Sequence, residues 1–154
     1  MHNGSDCAHF GRDVVIEDSV CTIGPDTNGD AWPDSTGFCS GPDHFDGFQT
    51  NGGRNLVIRH NTIRNPCGQT SDIAIFDDQG ATSDTTVDHN LLAGGGYTVY
   101  CPADHGFVAT MRVTNNRFAR TWFSRSGQYG PTRTCEYAGQ VSGNVWDDTG
   151  AAVN

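Results

Sequence analysis

The sequence predicts an all-β fold, a right-handed parallel β-helix (a solenoid) of about five coils with an Asn ladder along one turn. Three observations predict it. First, four segments repeat one pattern, a β-branched residue, two positions, Asn, one position, then an apolar residue. They are Ile58-Arg59-His60-Asn61-Thr62-Ile63, Val87-Asp88-His89-Asn90-Leu91-Leu92, Val113-Thr114-Asn115-Asn116-Arg117-Phe118 and Val141-Ser142-Gly143-Asn144-Val145-Trp146, with Asn-to-Asn steps of 29, 26 and 28. Second, strand-like runs lie between them. Third, the composition suits turns rather than helices: Asp outnumbers Glu 16 to 2, Gly is 20 of 154 residues, and there is no lysine. Asp and Gly favour turns, whereas Glu and Lys favour helix interiors.

Along the chain, Ile16-Glu17-Asp18-Ser19-Val20-Cys21 fits the pattern with Ser in place of Asn, and residues 24–45 form a loop insertion. Gly47-Phe48-Gln49-Thr50, Ile73-Ala74-Ile75-Phe76 and Tyr97-Thr98-Val99-Tyr100 are the second strands. Such units cannot bury their own apolar face, so they must stack. Long same-sense crossovers make parallel sheets. Ile58, Val87, Val113 and Val141, and Ile63, Leu92, Phe118 and Trp146, then stack as interior rows. Asn suits the ladder position because it tolerates the left-handed conformation of a sharp turn and its amide can bond to the Asn one coil along.

At 154 residues the chain is read as one domain, 1–154. The absence of lysine excludes a Gly-Lys-Ser/Thr phosphate loop and a Schiff-base enzyme. A formal charge of −9 without a basic stretch predicts no nucleic-acid partner. No apolar run is long enough to span a membrane. Six cysteines without a Cys-x-x-Cys pair favour disulfides, hence an oxidising compartment and a secreted, extracellular location. The expected links are Cys21–Cys39, closing one long loop, and Cys101–Cys135, joining neighbouring layers. Asn3-Gly4-Ser5 is a glycosylation triplet.

The runs His44-Phe45-Asp46-Gly47-Phe48-Gln49, Asn55-Leu56-Val57-Ile58-Arg59-His60-Asn61-Thr62-Ile63, Gly94-Gly95-Gly96-Tyr97-Thr98-Val99-Tyr100 and Gly143-Asn144-Val145-Trp146-Asp147-Asp148-Thr149-Gly150 resemble the pectate-lyase-like superfamily of secreted parallel β-helix proteins, particularly those of actinobacterial type. The resemblance covers about residues 8 to 150. It implies carbohydrate substrates bound lengthwise along one parallel sheet. Members of such families usually have more coils and an N-terminal cap, so the first coil here is expected to be an exposed edge, open to end-to-end association with a second copy.

Chemistry is expected in three places. Asp26, Asn28, Asp30 and Asp34 resemble the calcium loops of dockerin and thrombospondin repeats, because alternating oxygen side chains can face one centre. A simple turn cluster explains the same residues. On the strand face, His44 and Asp46 are followed one coil later by Asp72, with Gln49, Asp78, Tyr97 and Tyr100 as substrate-binding candidates. Equivalent positions in successive coils lie ~4.8 Å apart, which suits paired carboxylates. By strand alternation, Asp46, Phe48 and Thr50 share one face. Trp32, Tyr97, Tyr100, Trp122, Phe123 and Tyr129 could stack on sugar rings or fill the core.

The leading functional expectation is a calcium-assisted lyase acting on a uronate-containing polysaccharide by proton abstraction and β-elimination. Related β-helix lyases often use Lys or Arg as base; here His44 takes that role, with Arg112 or Tyr100 as substitutes. The alternatives are an inverting glycoside hydrolase, with Asp46 and Asp72 as its carboxylate pair, and a non-catalytic glycan-binding or adhesive module.

Overall fold

The computed structural model describes residues 6–30, 33, 34, 39 and 44–153; Trp32 and the triplet Asn3-Gly4-Ser5 lie outside them. The chain lays down strands in threes. β1 (Ala8–His9), β2 (Arg12–Glu17) and β3 (Val20–Thr22) are followed by β4 (Phe48–Thr50), β5 (Gly53–Arg59) and β6 (Thr62–Asn65). Next come β7 (Ile73–Ile75), β8 (Thr82–Asp88) and β9 (Leu91–Gly94), then β10 (Tyr97–Tyr100), β11 (Val108–Thr114) and β12 (Arg117–Phe118). β13 (Gly130–Arg133), β14 (Ala138–Ser142) and β15 (Val145–Trp146) complete the set among the described residues, with a 3-10 turn at Cys135–Tyr137.

Every third strand pairs in parallel, giving three five-stranded sheets: β1-β4-β7-β10-β13, β2-β5-β8-β11-β14 and β3-β6-β9-β12-β15. The molecule is therefore an all-β parallel solenoid. Its interior is built from the expected rows. Ile58, Ile63, Val87, Leu92, Val113 and Phe118 are all at most 1% exposed. The last described coil differs: Val141 is 47% exposed and Trp146 only partly buried, since β14 and β15 are the edge strands of their sheets. Residues 151–153 fold back there, pairing Ala152 antiparallel with Val145 and donating the Val153 N–H to the Asn144 carbonyl.

The Asn ladder joins the second and third sheets. Nδ2 of Asn61, Asn90 and Asn116 donates to Oδ1 of Asn90, Asn116 and Asn144 respectively, each at 3.0 Å. Each amide also donates back to the preceding coil, to the carbonyls of Ile16, Ile58, Val87 and Val113. One detail departs from expectation. The left-handed residue is the one before the ladder position: Asp18, His60, His89, Asn115 and Gly143, with φ of 52° to 70°. The chain reverses there, and the ladder amide is thereby aimed along the solenoid axis. His60 and His89 stack edge to face at 5.5 Å on the outside of this turn.

Three disulfides link Cys7–Cys21, Cys39–Cys67 and Cys101–Cys135. The last is as expected, whereas Cys21 and Cys39 are not bonded to each other. Cys21, in β3, meets Cys7, which precedes β1 on the same coil. Cys39 staples the insertion to the turn after β6. No helix among the described residues is long and apolar enough to cross a membrane.

Candidate functional site

The outer face of the first sheet is set by its register. His9, Gln49, Ala74, Tyr100 and Arg133 lie side by side on five neighbouring strands. Strand alternation sends Phe48 and Thr50 inward, at 3% and 0% exposure, and leaves Gln49 outside. Aromatic rings continue the surface. Tyr100 lies 5.5 Å from Phe76 and 5.4 Å from Tyr97, and Tyr97 lies 5.8 Å from Tyr129. The Arg133 guanidinium sits 5.4 Å from the Tyr97 ring.

At one side of this face, His44, Asp46, Gln49, Asp78 and Tyr100 line one cleft of about 340 Å³, together with Asp6, Asn51, Thr70 and Phe76. Five residues proposed from sequence are thus brought together. Asp46 is 2% exposed, as buried as Phe48 and Thr50, so the three share the inward side as the alternation expects, and Asp46 borders the cleft from there. Its Oδ1 accepts from the Ser71 N–H at 2.9 Å and the Ser71 hydroxyl at 2.6 Å, while Asp6 accepts the Asp46 N–H at 3.1 Å. Burial pushes the Asp46 carboxyl up to about 6; the nearby Asp6 charge adds to this, while the Ser71 hydrogen bonds and His44 oppose it. Gln49 is held by donating to Asn51 Oδ1 at 3.0 Å. The Tyr100 hydroxyl is raised above its ordinary value by burial, against the pull of Arg133, so at neutral pH it is a donor.

Asp72 is placed elsewhere. It is fully buried, its Oδ2 accepts the Ala93 N–H at 2.6 Å, and its Oδ1 has no hydrogen-bond partner among the described residues. Burial holds its carboxyl well above the ordinary value, and the Asp46 charge reinforces this. It faces the interior, so Asp46 and Asp72 do not present a carboxylate pair to a ligand in the cleft. The folded state binds protons on Asp46 and Asp72 more readily than the unfolded chain does. Their contribution to stability is therefore present at low pH and lost as pH rises from 3.8 through about 6 for Asp46, and further for Asp72. The Asp72→Asn variant is expected to gain about 1–2 kcal/mol at pH 8 and to flatten this decline. Urea midpoints at pH 5 and pH 8 check it; parallel curves with the variant less stable throughout would refute it.

The other candidates lie off the cleft. Arg112 is on β11 in the second sheet, where its Nη1 donates to Gln140 Oε1 at 3.0 Å. Trp122 is half-buried in the segment between β12 and β13. Asp77, next to Asp78, is 2% exposed and accepts the N–H groups of Ala103, Asp104 and His105 at 2.9 to 3.2 Å. Burial would raise its carboxyl, but these donors outweigh it and hold it low. It pins the 103–105 loop.

In the proposed calcium loop, the oxygens serve the loop itself. Asp26 Oδ1 accepts the Gly29 N–H at 2.7 Å and Asn28 Oδ1 the Asp30 N–H at 2.9 Å. Asp34 accepts from Thr27 N–H at 2.8 Å and from Asn28 Nδ2 at 3.3 Å. Among the described residues, no group of three or more His, Cys, Asp or Glu side chains is arranged to hold a metal ion.

Sequence reasoning missed Asp6, Asn51, Thr70 and Phe76. Phe76 and Asn51 come directly after β7 and β4, two places beyond Ala74 and Gln49, a position that the outward alternation of Gln49 could have flagged. Asp6 had no sequence signal, lying 40 residues before Asp46. No protein-family model matches the chain, and no curated protein or solved structure matches it.

Proposed function

We propose that this is a secreted, pectate-lyase-like enzyme that cleaves a uronate-containing polysaccharide by β-elimination. The observation that carries the reading is the convergence of His44, Asp46 and Tyr100 on one cleft that opens onto an aromatic face. Sugar rings stack on such rings through their apolar faces. His44 takes the proton on the carbon next to the uronate carboxyl through a ring nitrogen. The electron pair left behind forms the C=C bond as the glycosidic C–O bond breaks. The Tyr100 hydroxyl gives its proton to the departing oxygen. Asp46, once ionised, stabilises the imidazolium of His44 and so favours the abstraction.

The test is incubation with pectate, alginate and glucuronan, each with calcium and with EDTA. A rise in ultraviolet absorbance from the unsaturated sugar is the expected result. New reducing ends without that rise would replace elimination with hydrolysis. A second reading, a glycan-binding module, is favoured by the ring series reaching Tyr129 beyond the cleft. Retention on a polysaccharide column with no turnover in any condition would establish it in place of the lyase.

A further inference from the structure

A larger groove, of about 700 Å³, adjoins the cleft: Asn51 lines both. It follows the corner between the first and second sheets, and His9, Arg12 and Arg54 project along it beside a floor of glycine backbone. The coils are so close there that a Cβ on Gly53 would stand 1.7 Å from the Gly11 carbonyl oxygen. No side chain can fill the corner from that position, and the groove stays open.

Arg12 and Arg54 are direct partners on the neighbouring parallel strands β2 and β5, and both are exposed. Like charges placed opposite one another on a sheet are destabilising. The same strand pair shows the ordinary solution five residues on, where Glu17 meets Arg59 at 2.6 Å. Arg117 and Arg120 are likewise neutralised, by Asp147 and Asp148. Among the described residues, Arg12 and Arg54 form no ion pair, in a chain with 18 acids and 9 bases. The nearby Asp13 carboxylate accepts from Asn55 Nδ2 at 2.7 Å. Two guanidinium forks one strand apart match the oxygens of a carboxylate or a sulfate ester.

We propose that Arg12 and Arg54 form an anion subsite that grips one acidic group of a glycan whose chain continues across Asn51 into the cleft. The inference rests on the polysaccharide reading of that cleft and places one of the polymer's acidic groups at this corner. It also supplies positive charge beside a cleft whose own titratable side chains include Asp6, Asp46 and Asp78.

Binding is measured by calorimetry in the His44→Ala background, so that no ligand is consumed. The probes are oligogalacturonate, the same oligomer with its carboxyls reduced to alcohols, and a sulfated oligosaccharide. Oligogalacturonate or the sulfated probe should bind at least tenfold more tightly than the reduced oligomer, and which of the two wins assigns carboxylate or sulfate. The Arg12→Ala/Arg54→Ala variant should lose about 10- to 100-fold of that anionic affinity. The Arg12→Lys/Arg54→Lys variant should keep part of it, since charge remains without the fork. Without ligand, the double alanine variant should melt no lower than the parent, because a repulsion has been removed. Unchanged anionic affinity in the double alanine variant, or equal binding of acid and alcohol oligomers, would overturn the subsite. Binding that depends on both arginines but no turnover in the wild type would instead sink the lyase reading and leave the subsite standing.

Discussion

Replacing Asn116 by alanine is expected to lower the unfolding free energy by about 3–5 kcal/mol. Asn116 is wholly buried. Its Oδ1 accepts both the backbone N–H and the Nδ2 of Asn90, and its Nδ2 donates to the Val87 carbonyl and to Asn144 Oδ1, all at 3.0 Å. Alanine leaves two donors of Asn90 and the Val87 carbonyl without partners in a dry interior, where each orphan costs about 1–3 kcal/mol. Local relaxation keeps the total below their sum. The Asn116→Asp variant keeps the acceptor, loses both donors and buries a charge, so it is expected to be no better. At the end of the row, Asn144→Ala should cost less: it strands two Asn116 donors and the Val113 carbonyl, but Asn144 donates to no ladder amide beyond it and is 5% exposed, so water can reach them more readily. Urea unfolding of the three variants checks the order. Equal midpoints for Asn116→Ala and wild type would mean that the ladder contributes nothing to stability.

The second large effect is on turnover. His44→Ala is expected to reduce elimination activity by about 10²- to 10⁴-fold, the usual contribution of a positioned general base. His44 is exposed, so the melting temperature should stay within a degree or so of wild type. Asp46→Asn retains an oxygen for the Ser71 donors but carries no charge. In the wild type, activity should rise with pH as Asp46 ionises near its value of about 6. In Asp46→Asn the plateau should fall and the midpoint of that limb should move, which a merely structural role would not produce. Unchanged turnover in His44→Ala would remove it as the base.

Much of the architecture could be read from sequence because a solenoid repeats its constraints. Asn61, Asn90, Asn116 and Asn144 are spaced by the length of a coil, and the apolar residue two places after each must point inward. Where the repeat ends, so does legibility: Val141 follows the pattern but lies on an edge strand, β14. The pairings of Cys7, Cys21, Cys39 and Cys67 were illegible because sequence spacing says nothing about which turn of an insertion passes over which strand. The cleft was half-legible. His44, Asp46, Gln49, Asp78 and Tyr100 lie at or beside positions where the first sheet can be recognised. Asp72 was misplaced by the same logic. It sits at a corner just before β7, where the chain has not yet entered the pleat, so its carboxyl turns inward to the Ala93 N–H. Arg112 was chosen for its chemistry alone, and the second sheet carries it away.

The cross-links have a consequence for how the chain breaks. The three bonds enclose residues 8–20, 40–66 and 102–134, and none spans β7, β8 or β9. A protease that nicks the backbone near Ala119 leaves two pieces tied together until a reductant is added. A nick near Gly80 leaves no covalent tie at all, and the halves stay together only through the stacked amides and interlocked apolar rows on either side of the cut.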